Sequence, residues 1–121
     1  MALLVLLNNF LHDFSAAGWL FTTIFLWAIL RTKDTETKIN SAVISIVKIS
    51  LIFMRFSLAG IVIFGIFRAL AYKRYEWSIE AGNGQVTLLI IKHVVLFFFF
   101  VIGILIYRRA KNLINRHSNE K

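Results

Sequence analysis

Two histidines, His12 and His93, stand inside long apolar stretches, and each has a charged neighbour: Asp13 follows the first and Lys92 precedes the second. Imidazole ligates metals and exchanges protons near neutral pH, and a neighbouring charge biases both properties. In a membrane such groups need a reason to be there. A charged side chain at the bilayer centre costs about 2.5 to 3.5 kcal/mol even on lenient insertion scales, so it normally has a partner or a task. Lys48 and Arg55 in the second apolar stretch belong to the same class, and Arg68 lies near that stretch's end.

The elements that must position these residues follow from composition. The chain has 121 residues, 59 % of them hydrophobic, and contains neither cysteine nor proline. With a mean hydropathy of +0.74 it is too apolar for a small soluble domain. A hydrocarbon core about 30 Å thick asks for about 20 mainly apolar residues per helix. The stretches 3–30, 42–71 and 85–107 meet that length, which predicts an all-α transmembrane bundle of three helices in a single domain, 1–121, ending in a basic tail over 108–121. The first stretch lacks a basic start and is interrupted by His12 and Asp13, so it is read as a retained helix rather than a signal peptide. The connections, RTKDTETKIN and AYKRYEWSIEAGNGQ, are too short to fold alone, and GNGQ is a turn signal before the third helix. Tyr72, Tyr75, Trp77 and Tyr107 are placed as an interfacial aromatic belt, and the FFFF run reads as lipid-facing or packing bulk.

Charge sets the expected orientation. Arg31, Lys33, Lys38, Arg108, Arg109, Lys111, Arg116 and Lys121 lie in or beside the first loop and the tail, against Arg68, Lys73 and Arg74 around the second loop. The positive-inside rule then puts the N-terminus outside and the C-terminus in the cytoplasm, as in a multi-pass protein of a prokaryotic plasma (inner) membrane. The net charge of +8 follows this topology and is matched to lipid headgroups or an acidic partner subunit, with no nucleic-acid partner implied.

Helical spacing sorts the polar residues. Lys48 and Arg68 are separated by about 30 Å of helix, which frames the second span and suggests snorkelling to its two faces. Arg55 lies about 10 Å deeper than Lys48 and has to face protein, water or an anionic group. Ser41, Ser45, Lys48, Ile52, Arg55 and Ala59 form one stripe, expected to face the bundle. Asn8, His12, Ser15, Ala16, Trp19 and Thr23 form a second, small and polar stripe on the first helix. Counted from the same membrane face, His12 lies about 13 Å deep and His93 about 12 Å.

Two imidazoles at one depth on different helices are what a haem with two axial histidines requires, so His12 and His93 are the candidate iron ligands. Without cysteine the group would be a non-covalent haem b. Copper would favour soft ligands, yet Met1 and Met54 do not cluster, and zinc would ask for three or four protein ligands. Because the first and third helices run the same way, Asp13 and Lys92 rotate into one gap, where Arg55 completes an expected charge network and a basic residue, Arg55, Lys92 or Arg68, bonds a haem propionate. The cofactor-free alternative is a buried Asp13–Lys92 pair that fixes packing, with each histidine hydrogen-bonded to a neighbouring helix.

The segments FLHDFSAAGWLF, RFSLAGIVIFGIFRAL and GNGQVTLLIIKHVVLFFFFVIGILIYRRA together resemble the CopD-like family of small membrane proteins and, more distantly, the HemJ family. The resemblance covers most of the chain. It implies a multi-helix membrane module that handles haem or copper, with His12 as the first-helix histidine and Lys92 and His93 as the later motif. The chain departs from the copper-linked members in lacking further metal-binding residues, and from HemJ-like oxidases in being about one helix short.

Two functions are therefore expected. One is a small haem-b subunit that carries electrons within a larger respiratory or redox complex, exchanging them with quinone or a cytochrome, and is not an enzyme on its own. The other is a structural or assembly subunit without cofactor; CopD-like copper handling ranks below both. Three helices make a thin bundle, so either function implies other membrane subunits or a homodimer in addition to the lipid bilayer.

Overall fold

The computed structural model describes residues 2–33, 40–75 and 85–119. They form three long helices, α1 over Ala2–Lys33, α2 over Ser41–Tyr75 and α3 over Gln85–Asn119. Each contains a stretch long and apolar enough to cross a membrane. The expected all-α, three-helix arrangement is present. Long runs of Leu, Ile, Phe and Val without proline make each span continuous, and in hydrocarbon only a helix satisfies every backbone polar group internally. Hydroxyls along the spans follow the same rule: Ser15 donates to the Leu11 carbonyl, Thr22 to Gly18 and Thr23 to Trp19, each at 2.8 Å. Asn40 caps α2, its Oδ1 accepting from the Ala42 backbone N–H at 3.2 Å.

α1 packs most extensively on α2 and also on α3, while α2 and α3 touch each other least, so α1 forms the spine of the bundle. Contacts fix the directions. Asn8 Nδ2 donates to the Phe64 carbonyl at 3.1 Å near one end of the α1–α2 seam, and Gly18 meets Ser57 further along it, so these two helices are antiparallel. The α1–α3 contacts advance from Asp13 with Lys92 to Trp19 with Phe99, so these helices run parallel. The seams close where glycine removes a side chain: a Cβ at Gly60 would collide with Ser15, and one at Gly103 would lie 2.5 Å from Trp19 Nε1.

The packed core occupies one half of the bundle. Leu26 and Leu30 of α1, Val47, Leu51 and Met54 of α2, and Ile106 and Ala110 of α3 are buried there. Toward the other end α2 and α3 part, leaving α1 uncovered between them.

Two expectations need correction. The basic tail is not a separate segment, because α3 continues through it to Asn119. Gly103, Ile106, Tyr107, Ala110, Leu113, Ile114 and His117 recur at helical spacing on its buried or half-buried face, while Arg108, Arg109, Lys111 and Arg116 are exposed. The α2 stripe Ser41, Ser45, Lys48, Ile52, Arg55 and Ala59 does not face the bundle; all six residues are exposed. The buried side of α2 is instead Ile44, Val47, Ser50, Leu51, Met54 and Ser57. The α1 stripe does turn inward, and Trp19 and Thr23 are buried. Residues 82–84 of the GNGQ turn and Trp77 lie outside the described residues, as do the side chains of Tyr72 and Tyr75.

Candidate functional site

The parting of α2 and α3 opens a cleft of about 930 Å³ floored by α1. Its walls carry His12, Ala16, Trp19 and Leu20 from α1, Ile61, Gly65, Arg68 and Ala69 from α2, and His93 with part of the FFFF run from α3. Both histidines therefore line one cavity. Its volume is within the usual range of about 300 to 1,000 Å³ for ligand pockets.

His12 is held against α2 at a glycine. A Cβ at Gly65 would come within 3.2 Å of the imidazole Cε1, so any side chain there would crowd the ring. Its Nδ1 is buried without a hydrogen-bond partner among the described residues. One turn earlier Asn9 Oδ1 is also buried without one. His93 is more open, and borders a second, smaller cleft of about 360 Å³ formed with Ile90, Val94 and Phe97.

The aromatic wall is built by α1 and α3 together. Trp19 stacks on Phe100 with ring centroids 5.5 Å apart, and its Nε1 donates to the Phe99 carbonyl at 3.4 Å. Phe97, Phe99 and Phe100 line the cleft, so the FFFF run supplies part of a cavity wall, and only Phe98 of the four stands outside it.

Beside the cleft, Asp13 joins all three helices. Its Oδ1 accepts from Arg68 Nη1 and from Lys92 Nζ, each at 3.1 Å. Arg68 lines the cleft, whereas Asp13 and Lys92 do not. The third member of the charge network is thus Arg68 and not Arg55. Arg55 does not line the cleft and donates instead from Nε to Tyr107 Oη at 2.6 Å. The reason is geometric: on the antiparallel α2, residues near 65–68 reach the level of His12 and Asp13, while Arg55 belongs to a level further along α1.

Of the sequence candidates, His12, His93 and Arg68 meet at the cleft, Lys92 acts beside it through Asp13, and Arg55 is elsewhere. Sequence reading did not single out Gly65, Phe99 or Phe100 for the site. Among the described residues there is no group of three or more His, Cys, Asp or Glu side chains suited to hold a bare metal ion. Two imidazoles on an apolar, aromatic-walled cavity suit a planar metallocycle better, because it brings its own remaining ligands. Gly65 leaves the His12 ring its place at the cleft wall, and aromatic side chains of α1 and α3 border the same space. No family model, curated protein or solved structure matches this chain.

Proposed function

We propose that the cleft binds one non-covalent haem b between His12 and His93, and that the protein is a small electron-carrying subunit of a larger membrane redox complex. The observation that carries this reading is that both histidines, on parallel helices, line one cavity of about 930 Å³. In this reading Trp19, Phe99 and Phe100 would bury the ring and exclude water, and Arg68 would be the propionate's partner at the cavity wall. Lys92 and Asp13 set the position of Arg68. When bound, haem would supply reversible one-electron chemistry, with His12 and His93 as the residues that would hold it. The chain would thus relay electrons to or from a quinone or a cytochrome rather than catalyse a reaction by itself.

The orientation belongs to the same proposal: N-terminus outside and C-terminus in the cytoplasm of a prokaryotic inner membrane. Positive-inside counting supports it more strongly once Arg68 is seen to pair with Asp13 within the bundle, since Lys73 and Arg74 then remain as the basic residues of the second loop. The CopD-like kinship is proposed on the His12, Lys92 and His93 motifs alone. A cofactor-free structural subunit is the second reading, and one observation favours it. The Asp13 clasp accounts for Arg68 and Lys92 without any ligand.

Visible spectra of the protein purified in mild detergent with its accompanying subunits, oxidised and then reduced by dithionite, test the choice. A b-type spectrum that is lost in His12→Ala and in His93→Ala, with helicity retained, is the expected result. A colourless wild-type protein from haem-replete cells favours the structural reading.

A further inference from the structure

Arg55 of α2 and Tyr107 of α3 mark an outer seam of the bundle, away from the cleft. Arg55 Nε donates to Tyr107 Oη at 2.6 Å and the guanidinium lies 5.7 Å from the centre of that ring, which joins the two helices that touch least. The phenol oxygen accepts this bond, so its own O–H and the terminal guanidinium N–H groups remain as donors without an acceptor among the described residues.

Further cations lie to one side of that bond. Arg108 follows Tyr107, Lys111 lies one turn beyond it, and Lys48 lies two turns before Arg55. Because α2 and α3 are antiparallel, these displacements point to the same end of the bundle. At 100° per residue Lys48 is within about 20° of Arg55 and Lys111 within about 40° of Tyr107, so both border the seam, and Arg108 turns in the same sense as Lys111. Lys48, Arg108 and Lys111 are exposed and form no ion pair among the described residues. Asp13, the one acidic residue described, is held near the opposite end by Arg68 and Lys92. Positive charge thus gathers at the seam without a described counter-ion.

The end of the third span sets the depth of this cluster. Residues 88–107 rise about 29 Å, close to a hydrocarbon core of about 30 Å, and Arg108 and Arg109 follow at once. Tyr107 therefore stands at the core boundary, where aromatic belts lie, and Arg55 presents its guanidinium at that level through the bond to Tyr107. Phosphate headgroups sit just outside this boundary. On its core side the surface is apolar: Phe56 of α2 and Val101 and Leu105 of α3 are exposed, and exposed Ile52 and Phe53 flank Arg55.

That combination matches one kind of amphiphile. A phosphodiester accepts from the Arg55 and Tyr107 donors, and its acyl chains cover the apolar surface that a soluble phosphate would leave bare. The surrounding cations favour a head group of net negative charge over one that carries its own ammonium. We propose that the outer α2–α3 seam is a site for one anionic phospholipid, with its phosphate on Arg55 and Tyr107 and with Lys48, Arg108 and Lys111 around it. This site is separate from the cleft and holds whether or not the cleft binds haem.

Short-range fluorescence quenching in phosphatidylcholine vesicles tests it. The chain has no native cysteine, so a single fluorophore can be placed by Ala59→Cys, an exposed position one turn to the core side of Arg55. The quencher is carried on the acyl chain of either phosphatidylglycerol or phosphatidylcholine, which leaves both head groups intact. The phosphatidylglycerol form should reach half-quenching at about one tenth of the mole fraction that the phosphatidylcholine form needs. Arg55→Gln should weaken this preference about fivefold. Tyr107→Phe should reduce it, and Arg116→Gln, on the far side of α3, should leave it unchanged, with helical circular dichroism retained throughout. Equal quenching by the two lipids overturns the proposal and assigns the cations to carboxylates, whether Asp34 and Glu36 of the first loop or those of a partner protein. Equal losses in Arg55→Gln and Arg116→Gln overturn it by showing diffuse attraction to a basic chain end. A preference abolished by excess soluble glycerol phosphate overturns it by assigning the site to a free phosphate. The lipid comparison and the glycerol phosphate competition use the chain with Arg55 and Tyr107 intact, and Lys48→Gln with Lys111→Gln replaces Arg55→Gln if that variant fails to fold.

Discussion

Asp13 is the residue on which the open end of the bundle depends, because one carboxylate oxygen serves Arg68 of α2 and Lys92 of α3 where those helices barely touch. Removing its charge leaves two cations close together in a low-dielectric region. Asp13→Asn is therefore expected to destabilise the protein in detergent by about 2 kcal/mol, the range of hydrogen bonds to charged groups. Lys92→Met should cost less, since Arg68 still neutralises Asp13, and the double variant should lose less than the sum of the two. Thermal unfolding followed by circular dichroism measures this cycle, and strict additivity would mean that the Asp13–Lys92 pair is not formed in solution. The convergence of Asp13 and Lys92 was legible because a fixed rise and 100° turn per residue relate neighbours of two parallel helices. Arg68 was not. Its position at a span end is what snorkelling also produces, and only the register of the antiparallel α2 brings it to Asp13.

At the level of the helices, length and apolar composition are enough to place all three spans, and the inward stripe of α1 is marked by its small and polar residues. The face of α2 was read the wrong way round. In a membrane both the bundle interior and the lipid are apolar, so a polar stripe does not by itself say which side is inside. Here the interior side of α2 is apolar, with Val47, Leu51 and Met54, and the polar side is outward. The tail of α3 was missed for a different reason: its basic residues suggested a headgroup-bound segment, whereas Ile106, Ala110, Leu113 and Ile114 keep a helical stripe packed on the core. Amide hydrogen exchange should accordingly show residues 108–114 protected to a degree comparable with 100–107. Rapid exchange beginning at Arg108 would contradict a continuous α3.

For the whole molecule, the arrangement is asymmetric: one half is a closed core and the other is a cleft whose walls carry His12, His93 and Arg68. The absence of native cysteine makes the proposed orientation directly measurable. Single cysteines introduced at Thr35 and at Asn83 are expected to react with a membrane-impermeant maleimide from the cytoplasmic and the outer side respectively, and the reverse pattern would invert the topology. The depth match of the two histidines could be anticipated from helix rise, but the cavity between them could not, since it arises from how α2 and α3 part. The claim that joins these levels is that His12 and His93 bind one haem iron from two helices. Low-temperature electron paramagnetic resonance of the oxidised protein, purified with bound haem, tests it most directly. The account predicts a low-spin ferric signal of two-imidazole ligation that turns high-spin or disappears in His12→Ala and in His93→Ala. A high-spin signal in the wild-type protein, or a low-spin signal unchanged in either variant, would contradict it.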